Sequence, residues 1–194
     1  MYVVGISGSP RKDGNTSILV NEILKHIKGE KRFISLARLN LNPCAGCNKC
    51  WNEKKECPIN DDITWIIREL EKCDAMILGS PSYFGSMSAQ LKMLIDRSVS
   101  TFMRHSFRNK ILGAVALEDA PGVGAGGDLT LASIRNTYSW DFIYAGGIVG
   151  SGGAEMGNVK NDKQALENAK NLAERINELY EIITKKNDDN LKEQ

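Results

Sequence analysis

Four of the five cysteines, Cys44, Cys47, Cys50 and Cys57, fall between positions 44 and 57. Cys44-Ala45-Gly46-Cys47-Asn48-Lys49-Cys50 presents three thiols at two equal spacings, and Cys57 follows with Pro58 behind it. Three closely spaced thiolates plus a fourth can hold the corners of one cubane iron–sulfur cluster. Ferredoxins use a similar run, but there the fourth cysteine serves a second cluster, and no second cysteine set exists in this sequence. Structural zinc competes with this reading, although zinc sites usually pair two Cys-x-x-Cys elements across a longer gap. A loop that holds no metal is the third reading. Cys73 precedes an apolar run and reads as a small buried hydrophobe. An odd cysteine total without a signal sequence argues against a disulfide scaffold.

A second constellation could bind an anion. Ser7-Gly8-Ser9-Pro10-Arg11-Lys12-Asp13-Gly14-Asn15-Thr16-Ser17 lies between a β-rich run and a helix start. Its hydroxyls, backbone N–H groups and Arg11 suit a phosphate at a helix N-terminus, where orphan amides and the helix dipole both favour negative charge. Five residues separate Gly8 from Gly14 and Asn15-Thr16 follows, so this is no Walker loop. No Gly-x-Gly-x-x-Gly stands at this strand end, so the dinucleotide fingerprint is missing too. An ordinary βα turn with a good N-cap is the plain alternative.

The elements that must position these residues alternate along the chain. Strands are expected at Tyr2–Ser7, Arg32–Leu36, Ala75–Ser80, Lys110–Leu117 and Phe142–Val149. Helices are expected from Asn15 to about Lys28, Ile63 to about Glu71, Ser86 to about Val99, Leu129 to about Tyr138 and Lys163 to about Thr184. Five βα units in a row imply an α/β fold, a flavodoxin-like doubly wound five-stranded parallel sheet of order 2-1-3-4-5. Ligands of such sheets bind beyond the strand ends at the switch point, here after Ser7-Gly8 and Ser80-Pro81. One domain is expected over residues 1–184, with a cysteine loop at 43–58 after the second strand and a polar tail at 185–194.

Composition narrows the function classes. The chain has 194 residues, 42% of them hydrophobic and 25% charged, which is globular composition. Twenty-five Lys and Arg stand against 24 Asp and Glu. That balance lacks the basic excess of a nucleic-acid binder. No apolar run approaches ~18 residues and the N-terminus has no basic n-region, so neither a membrane span nor export is expected. A cytoplasmic protein is the expectation. Neither His26 nor His105 has an evident triad partner, and no catalytic residue is assigned. Asp61-Asp62 reads as acidic N-capping of the next helix. Phe102 to Arg108 is basic with interleaved aromatics: a solvated helix end, a surface for an acidic partner, or an oligomer interface.

Gly5-Ile6-Ser7-Gly8-Ser9-Pro10-Arg11 with Gly14-Asn15-Thr16 resembles the FMN-phosphate loop of the NAD(P)H-dependent FMN reductase group. Gly79-Ser80-Pro81-Ser82-Tyr83-Phe84-Gly85-Ser86, running on to Asp96-Arg97, resembles that group's second FMN loop and its helix. With the cysteine motif and the acidic pair between these loops, the whole pattern is similar to the iron–sulfur flavoproteins of anaerobes. The resemblance implies FMN and a [4Fe–4S] cluster. Ser9, Arg11, Asn15, Thr16 and Ser17 would hold the FMN phosphate, and Pro81, Ser82, Tyr83, Phe84 and Gly85 would line the flavin. Backbone N–H groups at Gly124 and Gly126 would approach the pyrimidine edge, with a flexible loop as the alternative. Cys44, Cys47, Cys50 and Cys57 would ligate iron. The resemblance also implies electron transfer with ferredoxin as donor, and a homodimer or homotetramer. A cluster-free NAD(P)H:FMN or quinone reductase and a zinc-stabilised, non-catalytic interaction protein remain as alternatives. The segment Ser151 to Asn158 reads as a lid, a subunit contact or a mobile loop.

Overall fold

A computed structural model describes residues 1–119, 126–137 and 141–192. Five parallel strands form the sheet: β1 (Tyr2–Ser7), β2 (Glu30–Ser35), β3 (Ala75–Tyr83), β5 (Lys110–Glu118) and β6 (Phe142–Ser151), in the order β2-β1-β3-β5-β6. This is the expected doubly wound order. The sixth strand, β4 (Ser86–Met87), is a two-residue antiparallel addition that folds back on the tip of β3.

The helices cover both faces. On one face α1 (Asn15–His26) and α7 (Lys163–Lys192) pack on the sheet, and Leu19, Val20, Ile23, Leu24, Ala169, Leu172 and Ile176 bury against Val3, Ile77 and Val115. On the other, α3 (Asp62–Lys72), α4 (Ala89–Arg97) and α6 (Gly126–Thr137) place Ile63, Ile66, Leu70, Leu91, Leu94 and Ile134 against Val4, Ile6, Met76 and Leu78. With helices on both sides, the central strands have no solvent face, which is why they read as continuous apolar runs. Two one-turn helices, α2 (Lys49–Glu53) and α5 (Val99–Phe102), complete the layer beside α4.

Several boundaries differ from expectation. The helix expected from Ser86 begins at Ala89, because Phe84 (φ 51°) and Gly85 (φ 73°) turn the chain back as a two-residue hairpin. Both turn residues at positive φ give the type I′ twist that suits a hairpin. Ser88 then caps α4, its Oγ accepting from the Leu91 N–H at 3.3 Å. The last helix, expected to end near Thr184, runs to Lys192. No Gly or Pro interrupts that stretch, so nothing in its residue types stops the helix. In β6, Gly146 (φ 144°) sits at a bulge opposite Leu112/Gly113. No helix among the described residues is long and apolar enough to cross a membrane.

Candidate functional site

The βα loop after β1 and the tip of β3 meet at the switch point. The Gly8 N–H donates to the Gly79 carbonyl at 2.7 Å, the Ser88 hydroxyl donates to the Gly8 carbonyl at 2.6 Å, and the Ser88 N–H donates to Ser80 Oγ at 2.8 Å. Glycine is required at this closure. A Cβ on Gly8 would stand 2.7 Å from Leu91 Cβ and 3.0 Å from the Gly79 oxygen, and one on Gly79 would stand 2.6 Å from a Val20 methyl.

Above this closure opens a cavity of about 210 Å³, lined by Ser9, Arg11, Asn15, Thr16, Pro81, Ser82, Tyr83, Leu117, Glu118, Asp119, Gly153 and Ala154. Helix α1 points its N-terminus into this rim. Gly14 is its N-cap and no side chain caps its first N–H groups, the arrangement that leaves orphan donors for an anion. Four of the five expected phosphate residues, Ser9, Arg11, Asn15 and Thr16, line the cavity, as do Pro81, Ser82 and Tyr83 from the second loop.

The remaining expected residues are placed differently. Ser17 is buried behind the loop, its Oγ 2.9 Å from both Ser7 Oγ and the Lys12 carbonyl. Phe84 and Gly85 occupy the hairpin tip outside the lining, with Phe84 fully exposed. Gly126 backs onto Ser82, so that a Cβ there would meet Ser82 Oγ at 2.7 Å. Gly124 lies outside the described residues. Phenylalanine at a left-handed turn position costs roughly 1 kcal/mol relative to asparagine. Phe84→Asn is therefore expected to raise the melting temperature by about 2–4 °C in a chain of this length; an unchanged melting temperature would show that the turn stores no strain.

Asn15 does more than expected of an anion ligand. Its Nδ2 donates to the carbonyls of Gly152 (3.1 Å) and Glu155 (2.9 Å), and its Oδ1 accepts from the N–H groups of Gly157 (2.8 Å) and Val159 (3.3 Å). Arg11 Nη1 adds a 2.6 Å bond to the Ala154 carbonyl. The 152–159 segment is thus strapped over the cavity by the phosphate loop itself. Sequence reasoning had not singled out Leu117, Glu118 or Asp119. Their only signal was position, at the carboxyl end of the fourth parallel strand. Glu118 Oε2 accepts from the Gly127 N–H at 3.0 Å and so fixes the start of α6 at the cavity edge.

The cysteine loop follows β2, as expected. Positive φ at Gly46 and Asn48 turns the chain into α2, which buries Cys50 while Cys44 and Cys47 stay exposed. Trp51 stacks on Phe102 of α5, with ring centroids 6.0 Å apart, and holds α2 down. Cys44, Cys47, Cys50 and Cys57 all line one small cavity together with Trp51, Ile59, Arg97 and Val99. Burial pushes the Cys50 thiol pKa upward, and the neighbouring Cys57, Cys44 and Cys47 add to the rise. Among the described residues no three His, Cys, Asp or Glu side chains are grouped closely enough to hold a single metal ion.

Arg97 closes this cavity, and sequence reasoning assigned it no role. It is fully buried at the end of α4 and pairs with Asp61, neither side chain being exposed. Burial works against the Arg97 charge, but the Asp61 hydrogen bond and the negative charges of Cys57 and Asp61 outweigh it and raise its pKa. Asp61 has the expected capping role, accepting from the Ile63 N–H at 3.1 Å, and adds the Arg97 pair to it. Phe107 of the basic segment is core rather than surface, packed edge-on against Phe142. Cys73 is buried as expected, its pKa pushed up to about 12 chiefly by burial.

The two cavities share no lining residue. They are tied to opposite ends of α4, Ser88 at the phosphate loop and Arg97 at Cys57. Nine residues at 1.5 Å rise put these anchors about 14 Å apart along the helix axis. A larger space of about 550 Å³ touches Cys44, Asn48 and Val99 on its way to Phe107 and Asp141.

Comparison with known proteins places the chain in a family. The family model for NADPH-dependent FMN reductase matches residues 1–155. An iron–sulfur flavoprotein of Methanocaldococcus jannaschii is 43% identical over 199 residues, covering 95% of this chain and all of that protein. An iron–sulfur flavoprotein of Methanosarcina thermophila is 29% identical, covering 97% of this chain and all of that protein. Among solved structures, the Trp repressor binding protein of Bacillus subtilis superposes with a TM-score of 0.66 at 23% identity, over 88% of this chain and 98% of that one. A flavodoxin from the domain Archaea gives 0.57 at 15% identity, over 92% and 97%. These two structural likenesses concern the fold alone.

Proposed function

The chain belongs to the NADPH-dependent FMN reductase family, as one of its iron–sulfur flavoproteins, and from that premise we propose that it carries electrons between a one-electron donor and an acceptor through a [4Fe–4S] cluster and FMN. It is an oxidoreductase with a flavoprotein redox role. The observation that carries the finer reading is the convergence of four cysteines from two chain segments, 44–50 and 57, on one cavity. A cubane needs four thiolates spaced around its corners. The chain presents four around one cavity.

Each cavity fits its cofactor on its own chemistry. Cys44, Cys47, Cys50 and Cys57 would hold the cluster. The uncapped N-terminus of α1, with Ser9, Thr16 and Arg11, would hold the FMN phosphate, and Pro81, Ser82 and Tyr83 would flank the flavin. A cluster passes electrons singly and FMN takes up one or two, so together they link one-electron to two-electron chemistry. The protein's part is to bind and orient. Asn15 and Arg11 hold the 152–159 segment at the edge of the phosphate cavity. Glu118 fixes the first N–H groups of α6 at the cavity edge. Cys44 and Cys47 are exposed, so a soluble carrier such as ferredoxin can approach the cluster side directly. A homodimer or homotetramer is part of the same proposal.

Protein purified without oxygen tests this reading. Structured flavin bands over a broad absorption that dithionite bleaches, with about four irons per chain, are the expected result. Flavin bands with no iron would replace the reading by a cluster-free reductase, and zinc without flavin by an interaction protein. Arg11→Ala removes a charge-assisted hydrogen-bond donor, and about tenfold weaker FMN binding is expected in a fluorescence titration. Unchanged affinity would take Arg11 out of the phosphate site.

A further inference from the structure

We propose that Arg97 is a positioning residue for the cluster: its Nε–H···Sγ bond to Cys57 fixes the fourth ligand and raises the cluster's reduction potential. The inference rests on the cluster reading above and adds a residue to it.

The guanidinium has five N–H donors, and the structure gives each one a partner. Nε donates to Cys57 Sγ at 2.9 Å. Nη1 donates to the Asn42 carbonyl at 3.1 Å and to Asp61 Oδ2 at 2.9 Å. Nη2 donates to the Ile59 carbonyl at 2.9 Å and to Asp61 Oδ1 at 3.3 Å. Asn42 stands just before Cys44, and Ile59 and Asp61 stand just after Cys57. One side chain therefore pins both ends of the cysteine loop and touches its last thiol.

The direction of this pinning has a chemical consequence. Arg97 sits at the end of α4, and the Asp61 fork fixes the guanidinium plane with Nε aimed at the sulfur. Hydrogen bonds to ligand sulfurs set the potential of a cluster, because they stabilise the extra negative charge of the reduced form. An N–H carrying a full positive charge in a buried site does this strongly. Asp61 offsets part of that charge. The pair thus works as two opposed influences on Cys57, with Arg97 in contact and Asp61 one residue behind it. Lysine cannot replace the fork: it has one nitrogen, no fixed plane, and cannot serve the sulfur and four oxygens at once.

A purely structural salt bridge would hold the loop without affecting redox energetics. The midpoint potential, read by dye-mediated titration of the as-purified anaerobic protein, separates the two roles. In Arg97→Lys the cluster's reduced-to-oxidised ratio at fixed potential is expected to fall about tenfold, 59 mV for a one-electron couple. In Asp61→Asn, which leaves the arginine but removes its counter-charge, the ratio is expected to rise. Opposite shifts are the signature of an electrostatic role. Variants that carry full iron at the wild-type potential would overturn the inference.

Should Arg97→Lys fail to fold or to retain iron, the wild-type protein decides. Grown with ¹⁵N-labelled arginine and reduced with dithionite, it is expected to show an arginine ¹⁵N coupling in the electron spin echo modulation of the reduced cluster. A well-formed spectrum without that coupling would overturn the inference. Wild-type protein without iron would instead overturn the cluster reading beneath it, so the two failures are told apart by iron analysis.

Discussion

Arg97→Met is expected to lower the unfolding free energy by about 3–5 kcal/mol, the usual cost of removing one member of a buried ion pair. The side chains of Arg97 and Asp61 are both unexposed, so removing the cation leaves a buried carboxylate without its counter-charge, held only by the neutral donors of Asn42 and the Ile63 N–H. The carbonyls of Asn42 and Ile59 lose donors in the same change. For a chain of this length the drop corresponds to a melting temperature lower by roughly 10 °C. Removing the stranded charge as well, in Arg97→Met with Asp61→Asn, is expected to recover part of the loss. Equal melting temperatures for wild type and Arg97→Met would show that water reaches Asp61.

The same pair sets a pH dependence. Burial acts to raise the Asp61 pKa, but the hydrogen bonds from Arg97 and Asn42 outweigh it, and the carboxyl sits below its ordinary value. A carboxyl depressed in the folded state favours folding at every pH above its unfolded value, about 3.9. That contribution is lost as pH falls through the lower folded value. In Arg97→Met the hydrogen bonds and charge of Arg97 are lost while the hydrogen bonds from Asn42 remain, so the folded pKa of Asp61 rises from its wild-type position. The variant therefore loses its disadvantage as Asp61 protonates. Melting curves of wild type and variant should converge on acidification towards about pH 4 and diverge at neutral pH.

Cys50→Ala is expected to abolish the iron content and the dithionite-bleachable absorption while FMN remains. Cys50 is the buried member of the four and sits on the first turn of α2, so no neighbouring thiol can take its place. The control is Cys73→Ala. Cys73 is buried in the core beneath β3, away from the cysteine cavity, and its removal should leave iron unchanged. Full iron in Cys50→Ala would remove that ligand, and lost iron in Cys73→Ala would mean that core packing, not ligation, governs retention. Separation of the two cavities along α4 predicts the preserved flavin. Loss of FMN together with iron in Cys50→Ala would show that the sites fold as one unit.

The sequence alone determined the features whose causes are local. Alternating β-rich and amphipathic runs gave the five parallel strands and their order, because a βα unit leaves few ways to close a sheet. Glycines and hydroxyls at strand ends marked the phosphate loop, since tight turns and uncapped amides depend on residues adjacent in the chain. Cysteine spacing marked the thiol cavity for the same reason. Tertiary structure decided whatever joins distant segments. Arg97 stands 40 positions from Cys57 and 36 from Asp61, and nothing in the sequence pairs it with either. Asn15 looked like a phosphate ligand and proved to clasp a strap 137 to 144 positions away. Ser17 looked equivalent to Thr16, but successive helical residues point about 100° apart, so one faces the cavity and the other Ser7. Buried polar groups must find partners wherever packing brings donors and acceptors together, and that pairing is a property of the folded chain.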